Sequence, residues 1–179
     1  GCQNAHAGSL LLAAGGIPVA TAPALGTSAG SWAAAAVALG THYDDVAGID
    51  VPPVPNRHRG VLAEVARSIF GDATHPLVAV SAVCLRTRRR HILDGGRYPL
   101  ADLAAASSAV PGLLPPHRID GRLYIDGGMW SVTSVDAAAD AASGGRLLAG
   151  SPYLIMEYLR PDPLGAPIES FAQLRAIVD

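Results

Sequence analysis

The sequence predicts an α/β fold in three α/β/α layers, with a mostly parallel central sheet covered by helices on both faces. Three observations carry this. First, β-rich runs alternate with helix-forming runs along the chain. Second, half of the 179 residues are hydrophobic while only 16% are charged and 5% aromatic, so the core must be built from Ala, Val and Leu with closely packed backbones. Third, Gly26-Thr27-Ser28-Ala29-Gly30 stands between an apolar run and an Ala-rich segment, the setting of a sharp strand-to-helix turn. The length suits one domain spanning residues 1–179.

Taken in order, Gly8 to Ala14 is a short apolar helix candidate closed by Gly15-Gly16 in the C-cap position. Ile17 to Leu25 reads as a buried strand, weakened by Pro23, which lacks a ladder donor. Ser31 to Leu39 is a strong helix former ending at Gly40. Val51 to Asn56 is a Pro-rich loop. Val61, Leu62, Val65, Ile69 and Phe70 recur at helical spacing, so a helix is expected over Gly60 to Phe70. Leu77 to Leu85 and His91 to Leu93 read as two strands joined by the charged turn Arg86-Thr87-Arg88-Arg89-Arg90. That turn is expected to be solvated. Its functional alternative is attraction to anionic lipid headgroups. Leu100 to Ser108 is a helix candidate, Pro111 to Pro116 a constrained loop, and Arg122 to Ile125 a short strand ending on Asp126-Gly127-Gly128. From Ser151 a strand (Tyr153 to Tyr158) and a helix (Ile168 to Ile177) are expected, without a usable motif.

Composition removes several function classes. Lysine is absent and all thirteen cations are arginine, which excludes a phosphate-binding P-loop, a Schiff-base lysine and a Ser-Lys dyad. A net charge of -2 gives no support for nucleic-acid binding. Cys2 and Cys84 form neither a disulfide framework nor a zinc site, and Cys2 with His6 lacks further ligands, so no metal and no cofactor are expected. Gly1 to Tyr43 holds no charged residue, but Gly15-Gly16, Pro18 and Pro23 interrupt it, which argues for a buried α/β centre rather than a membrane span. No basic segment precedes the apolar residues, so a secretory signal is not expected and a cytoplasmic location is, with peripheral membrane contact allowed. The chain starts at Gly1 in what reads as mid-motif, so an N-terminally truncated fragment is expected.

A serine is a weak nucleophile unless a tight turn projects it and a base takes its proton. Small residues two positions either side of Ser28, here Gly26 and Gly30, permit such a turn, and the following helix aims its N-terminal N–H groups at the site. One candidate base is a histidine, in a Ser-His-Asp arrangement with an acid such as Asp44, Asp45, Asp72, Asp94 or Asp102 and a downstream His117. The other is a carboxylate that accepts the proton directly, which requires an aspartate partly buried at a strand end and within about 2.6–3.2 Å of the hydroxyl. Asp126-Gly127-Gly128 fits this, and Asp94-Gly95-Gly96 fits it about as well.

In four stretches the chain resembles the patatin-like phospholipases, a family of lipid acyl hydrolases. Gly1 to Leu10 is similar to the end of the family's glycine-rich oxyanion loop and the helix after it. Gly26 to Gly30 matches its elbow. Ala104 to Pro116, with Ala106-Ser107-Ser108-Ala109-Val110-Pro111, is similar to its Ser-x-Ala-x-Pro segment, and Arg122 to Gly128 to its strand ending in Asp-Gly-Gly. The order is more specific than any part, and the likeness spans most of residues 1–130, leaving the tail 151–179 unassigned. The resemblance implies a patatin-like fold and a Ser28–Asp126 dyad, so it selects Asp126 over Asp94. It also implies Gly127 and Gly128 as turn residues, Ser107, Ser108 and Pro111 as structural support, and an oxyanion hole from the backbone N–H groups of Gly1, Cys2, Gln3, Asn4 and Ala29. The implied activity is hydrolysis of lipid or other acyl esters. The rival expectations are an impaired relative that binds lipid or a partner, and a Ser-His-Asp esterase.

Overall fold

The computed structural model describes residues 23–48, 50, 52–131, 134 and 137. The expected helix at Gly8 to Ala14, most of the strand from Ile17, Gly1 to Asn4 of the oxyanion loop, and the tail elements from Ser151 all lie outside them.

Strand β1 (Ala24–Thr27) leads directly into helix α1 (Ala29–Ala38). Pro23 sits just before the strand, where its missing N–H costs no ladder bond, and Ala24 N donates to Leu77 O at 2.7 Å. Gly30 to Val37 of α1 are all buried, as expected of a helix that is apolar all round. A short helix α2 (Tyr43–Ala47) and the Pro-rich loop lead to α3 (Val61–Phe70). In α3 the fully buried stripe is Ala63, Ala66 and Phe70, with Leu62, Val65 and Ile69 packed along its margins, so small residues face the core at the point of closest approach. Phe70 meets Trp32 of α1 at a ring-centroid distance of 6.0 Å. Next come β2 (Val78–Cys84), β3 (Arg89–Asp94), α4 (Leu100–Ser107), β4 (His117–Ile119) and β5 (Arg122–Asp126), and a 3₁₀ turn at Gly127–Met129.

Strands and helices share one core, so the α/β class holds. The expectation of a mostly parallel sheet does not: among the described strands only β1–β2 is parallel, while β2–β3, β2–β5 and β4–β5 are antiparallel. The reason is connection length. β2 and β3 are joined by Leu85 to Arg88, and β4 and β5 by Asp120-Gly121 alone, and such short turns can close only antiparallel pairs. Asp120 (φ 47°) and Gly121 (φ 72°) both occupy the left-handed region that a two-residue hairpin turn demands.

Register and the period-2 alternation put Ala24, Val78, Val80, Ala82, Cys84, Leu93 and Tyr124 on one sheet face, where they join the core formed with α1, α3 and α4. No helix among the described residues is long and apolar enough to cross a membrane.

The placement of β2 decides the rest. A strand has two edges. β3 occupies one of them along Ala79 to Cys84. The other is shared: β1 pairs with Val78 to Ser81, running parallel, and β5 pairs with Ala82 to Cys84, running antiparallel. The C-terminal ends of β1 and β5 therefore point at each other, with Thr27 opposite Ser81 and Asp126 opposite Ala82.

Candidate active site

Ser28 follows β1 immediately and takes φ 52°, ψ −123°, a conformation that costs a non-glycine residue on the order of 1–3 kcal/mol. Three contacts hold it there. The Ser28 N–H donates to Ser107 Oγ at 2.9 Å, and the Ser28 carbonyl accepts from Ser31 N at 2.9 Å and from the Ser31 hydroxyl. Gly26 lets the turn close: a Cβ there would lie 2.5 Å from Ser31 Cα and 2.7 Å from Gly30 O, so β1 and the first turn of α1 pack backbone to backbone. Gly30 is buried in that turn. Ala29 supplies the first N–H of α1, which has no acceptor within the helix.

Asp126 ends β5 at 4% exposure. Its Oδ2 accepts a hydrogen bond from Ser28 Oγ at 2.7 Å across 98 positions of sequence, and its Oδ1 accepts from Gly128 N at 2.6 Å. Its own N–H donates to Ala109 O at 3.0 Å, which fastens the strand end to the segment after α4. The carboxylate is thus fixed through both oxygens and its backbone. Gly127 rests against the Ser81 carbonyl group so tightly that a Cβ would collide with it, and a Cβ on Gly128 would lie 3.0 Å from Asp126 Oδ1.

The second Asp-Gly-Gly is built alike locally. Gly96 N donates to Asp94 Oδ1 at 2.9 Å, just as Gly128 does to Asp126. Its position differs: Asp94 lies opposite Ala79 on the far edge of β2, with that strand between it and Ser28.

The histidine candidates go elsewhere. His117 Nε2 and Asp102 Oδ1 lie 2.9 Å apart, and the same oxygen accepts from Arg67 at 2.6 Å, so this group ties β4 to α3 and α4. His58 pairs with Glu64 and His91 with Thr87. Among the described residues no histidine hydrogen-bonds Ser28.

The Ser107-Ser108 pair does what the resemblance implies for it, with partners that only the structure reveals. Ser107 Oγ bridges the Ser28 N–H to Ser81 O, donating to the latter at 2.7 Å, and Ser108 Oγ accepts from Trp32 Nε1 at 2.9 Å. Ser31 was missed. A serine three positions into a helix that begins on another serine was the available signal. Replacing Ser107 with Ala strands a part-buried N–H and a carbonyl together, so urea denaturation is expected to show a loss of about 1–3 kcal/mol.

Comparison with known proteins agrees with this architecture. No curated protein matches the chain. The family description "Patatin-like phospholipase" matches residues 23–139, which include β1 with its elbow, every later described element and both members of the Ser28–Asp126 pair. On a match that covers well over half of its length, the chain belongs to the patatin-like phospholipase family.

Proposed function

We propose that this protein is a serine acyl hydrolase cleaving carboxylic esters of lipids, with Ser28 as nucleophile and Asp126 as its general base. Family membership supports the coarse activity, since the family consists of lipid acyl hydrolases. The observation that carries the finer reading is the 2.7 Å hydrogen bond from Ser28 Oγ to a buried, doubly anchored carboxylate.

In this reading Ser28 Oγ attacks the ester carbonyl carbon while its proton passes to Asp126 Oδ2. The carbonyl oxygen becomes an oxyanion, held by the Ala29 N–H and by N–H groups of the loop from Gly1 to Asn4, which lies outside the described residues. Collapse breaks the bond to the alcohol, which departs with the proton from Asp126. Water then attacks the acyl-serine, giving a proton to the same carboxylate. The second collapse releases the carboxylic acid and returns the proton to Ser28. No metal or cofactor takes part in these steps.

The test is hydrolysis of short- and long-chain p-nitrophenyl esters. Wild-type protein is expected to turn over both, and Ser28→Ala to reduce turnover by roughly 10⁴–10⁶, the cost of removing a serine nucleophile. Turnover that survives Ser28→Ala overturns the assignment. A stable wild-type protein that hydrolyses neither ester supports the rival reading, a binding relative of the same fold.

A further inference from the structure

The turn Leu85 to Arg88 between β2 and β3 has no part in the site described. Arg86, Arg88, Arg89 and Arg90 fall within five positions, and residues 73–93 contain no Asp or Glu, in a chain whose net charge is -2. Residues 85 to 89 are all exposed, and among the described residues Arg86, Arg88 and Arg89 form no ion pair. Exposed Arg118 and Arg122 on the adjoining hairpin extend the same charge: Leu85 N donates to Leu123 O, and Leu123 stands opposite Arg118. His91, at the root of the turn, titrates below its ordinary range, first because burial disfavours the imidazolium and second because Arg122 is close.

The cluster is also apolar and strained. Leu85 is 40% exposed at the base of the turn. Arg88 sits at φ 53°, in the left-handed region where glycine or asparagine is the unstrained choice. Its place in the sheet is informative too. β1 and β2 are parallel, so Ser28 and this turn leave the sheet in the same direction, with Arg86 four residues past Ala82, the level of Asp126. β2 ends two residues past that level, at Cys84, so at ~3.3 Å per residue the turn begins about 7 Å beyond the site. Basic residues around an exposed aliphatic side chain, Leu85, match the layering of a lipid interface, with anionic headgroups outside and acyl chains within.

We infer that the turn Leu85 to Arg90 docks the protein on anionic lipid surfaces, holding the Ser28 end of the sheet against the membrane. The purpose of this docking rests on the lipid-ester reading, but the binding itself does not require turnover.

Co-sedimentation with phosphatidylcholine vesicles, with and without phosphatidylglycerol, tests the inference on the whole chain. Wild-type protein is expected to bind the anionic vesicles far more tightly, with the difference fading as salt rises. The variant Arg86→Gln, Arg88→Gly, Arg89→Gln is expected to lose on the order of 100-fold of that preference, about fivefold for each cation removed. Ser28→Ala is expected to bind as the wild type does, so a failure of hydrolysis bears on the proposed reaction and not on docking. Equal binding of wild-type protein to both vesicle types overturns the inference without reference to any variant. So does undiminished binding by the triple variant, or binding to short duplex DNA as tight as to the anionic vesicles.

Discussion

Asp126→Asn is expected to lower p-nitrophenyl ester turnover by roughly 10²–10⁴ while leaving the fold intact, as measured by steady-state kinetics beside thermal unfolding. The substitution is nearly isosteric. The Asn carbonyl can still accept from Gly128 N, as Asp126 Oδ1 does now, and the backbone bond to Ala109 is untouched. Against Ser28 Oγ, however, it presents an amide that donates and cannot take a proton. The lost term is therefore the base and not the architecture. His117→Ala separates this account from the Ser-His-Asp alternative. His117 is held by Asp102, which also accepts from Arg67, and neither hydrogen-bonds Ser28, so removal of His117 is expected to lower stability more than turnover. A collapse of kcat in His117→Ala with kcat retained in Asp126→Asn would reverse the assignment.

Gly127→Ala is expected to be the most damaging one-carbon addition at the site. The new Cβ has to enter the space of the Ser81 carbonyl group. Ser81 cannot easily yield, because it lies in a strand paired on both edges, opposite Thr27 on one side and Ile92 on the other, and its carbonyl accepts from Ser107. Overpacking of this kind typically costs 1–3 kcal/mol, so a loss of about 2 kcal/mol or more is expected, a fall of roughly 4–8 °C in Tm for a chain of this size. The turn would relieve the clash by moving Asp126, and a displacement near 1 Å from the hydroxyl costs about 10²-fold in rate. Calorimetry and ester kinetics on the same preparation check both effects. An unchanged Tm together with unchanged turnover would show that the contact between the turn and β2 is looser than described.

Much of this was legible in the sequence, and what was not has identifiable causes. The elbow announced itself because Gly26 is required by a backbone contact with Gly30 and Ser31 that leaves no room for a Cβ. The helix at Val61–Phe70 followed from its apolar spacing, although the deepest positions turned out to be Ala63 and Ala66, which hydrophobic periodicity weights lightly. Strand β4 went unread because His117–Ile119 is too short for a period to show, even though Asp120-Gly121 between it and β5 is a strong hairpin signal. The sheet was expected to be mostly parallel because alternating strands and helices suggest crossovers, whereas two of the connections are tight turns. The two Asp-Gly-Gly segments were indistinguishable locally because they form the same local turn. The resemblance selects Asp126, and pairing along β2 supplies the structural difference: one aspartate lies on the edge that β1 shares, the other on the opposite edge.

The central claim is that the Asp126 carboxylate activates the Ser28 hydroxyl, and the rate of covalent labelling by a fluorophosphonate measures this without choosing a substrate. With the adduct located by mass spectrometry, the expected result is phosphonylation of Ser28 in the wild-type protein and labelling at least about 100-fold slower in Asp126→Asn. An adduct on another residue, or an Asp126→Asn protein labelled at Ser28 as fast as the wild type, would contradict it.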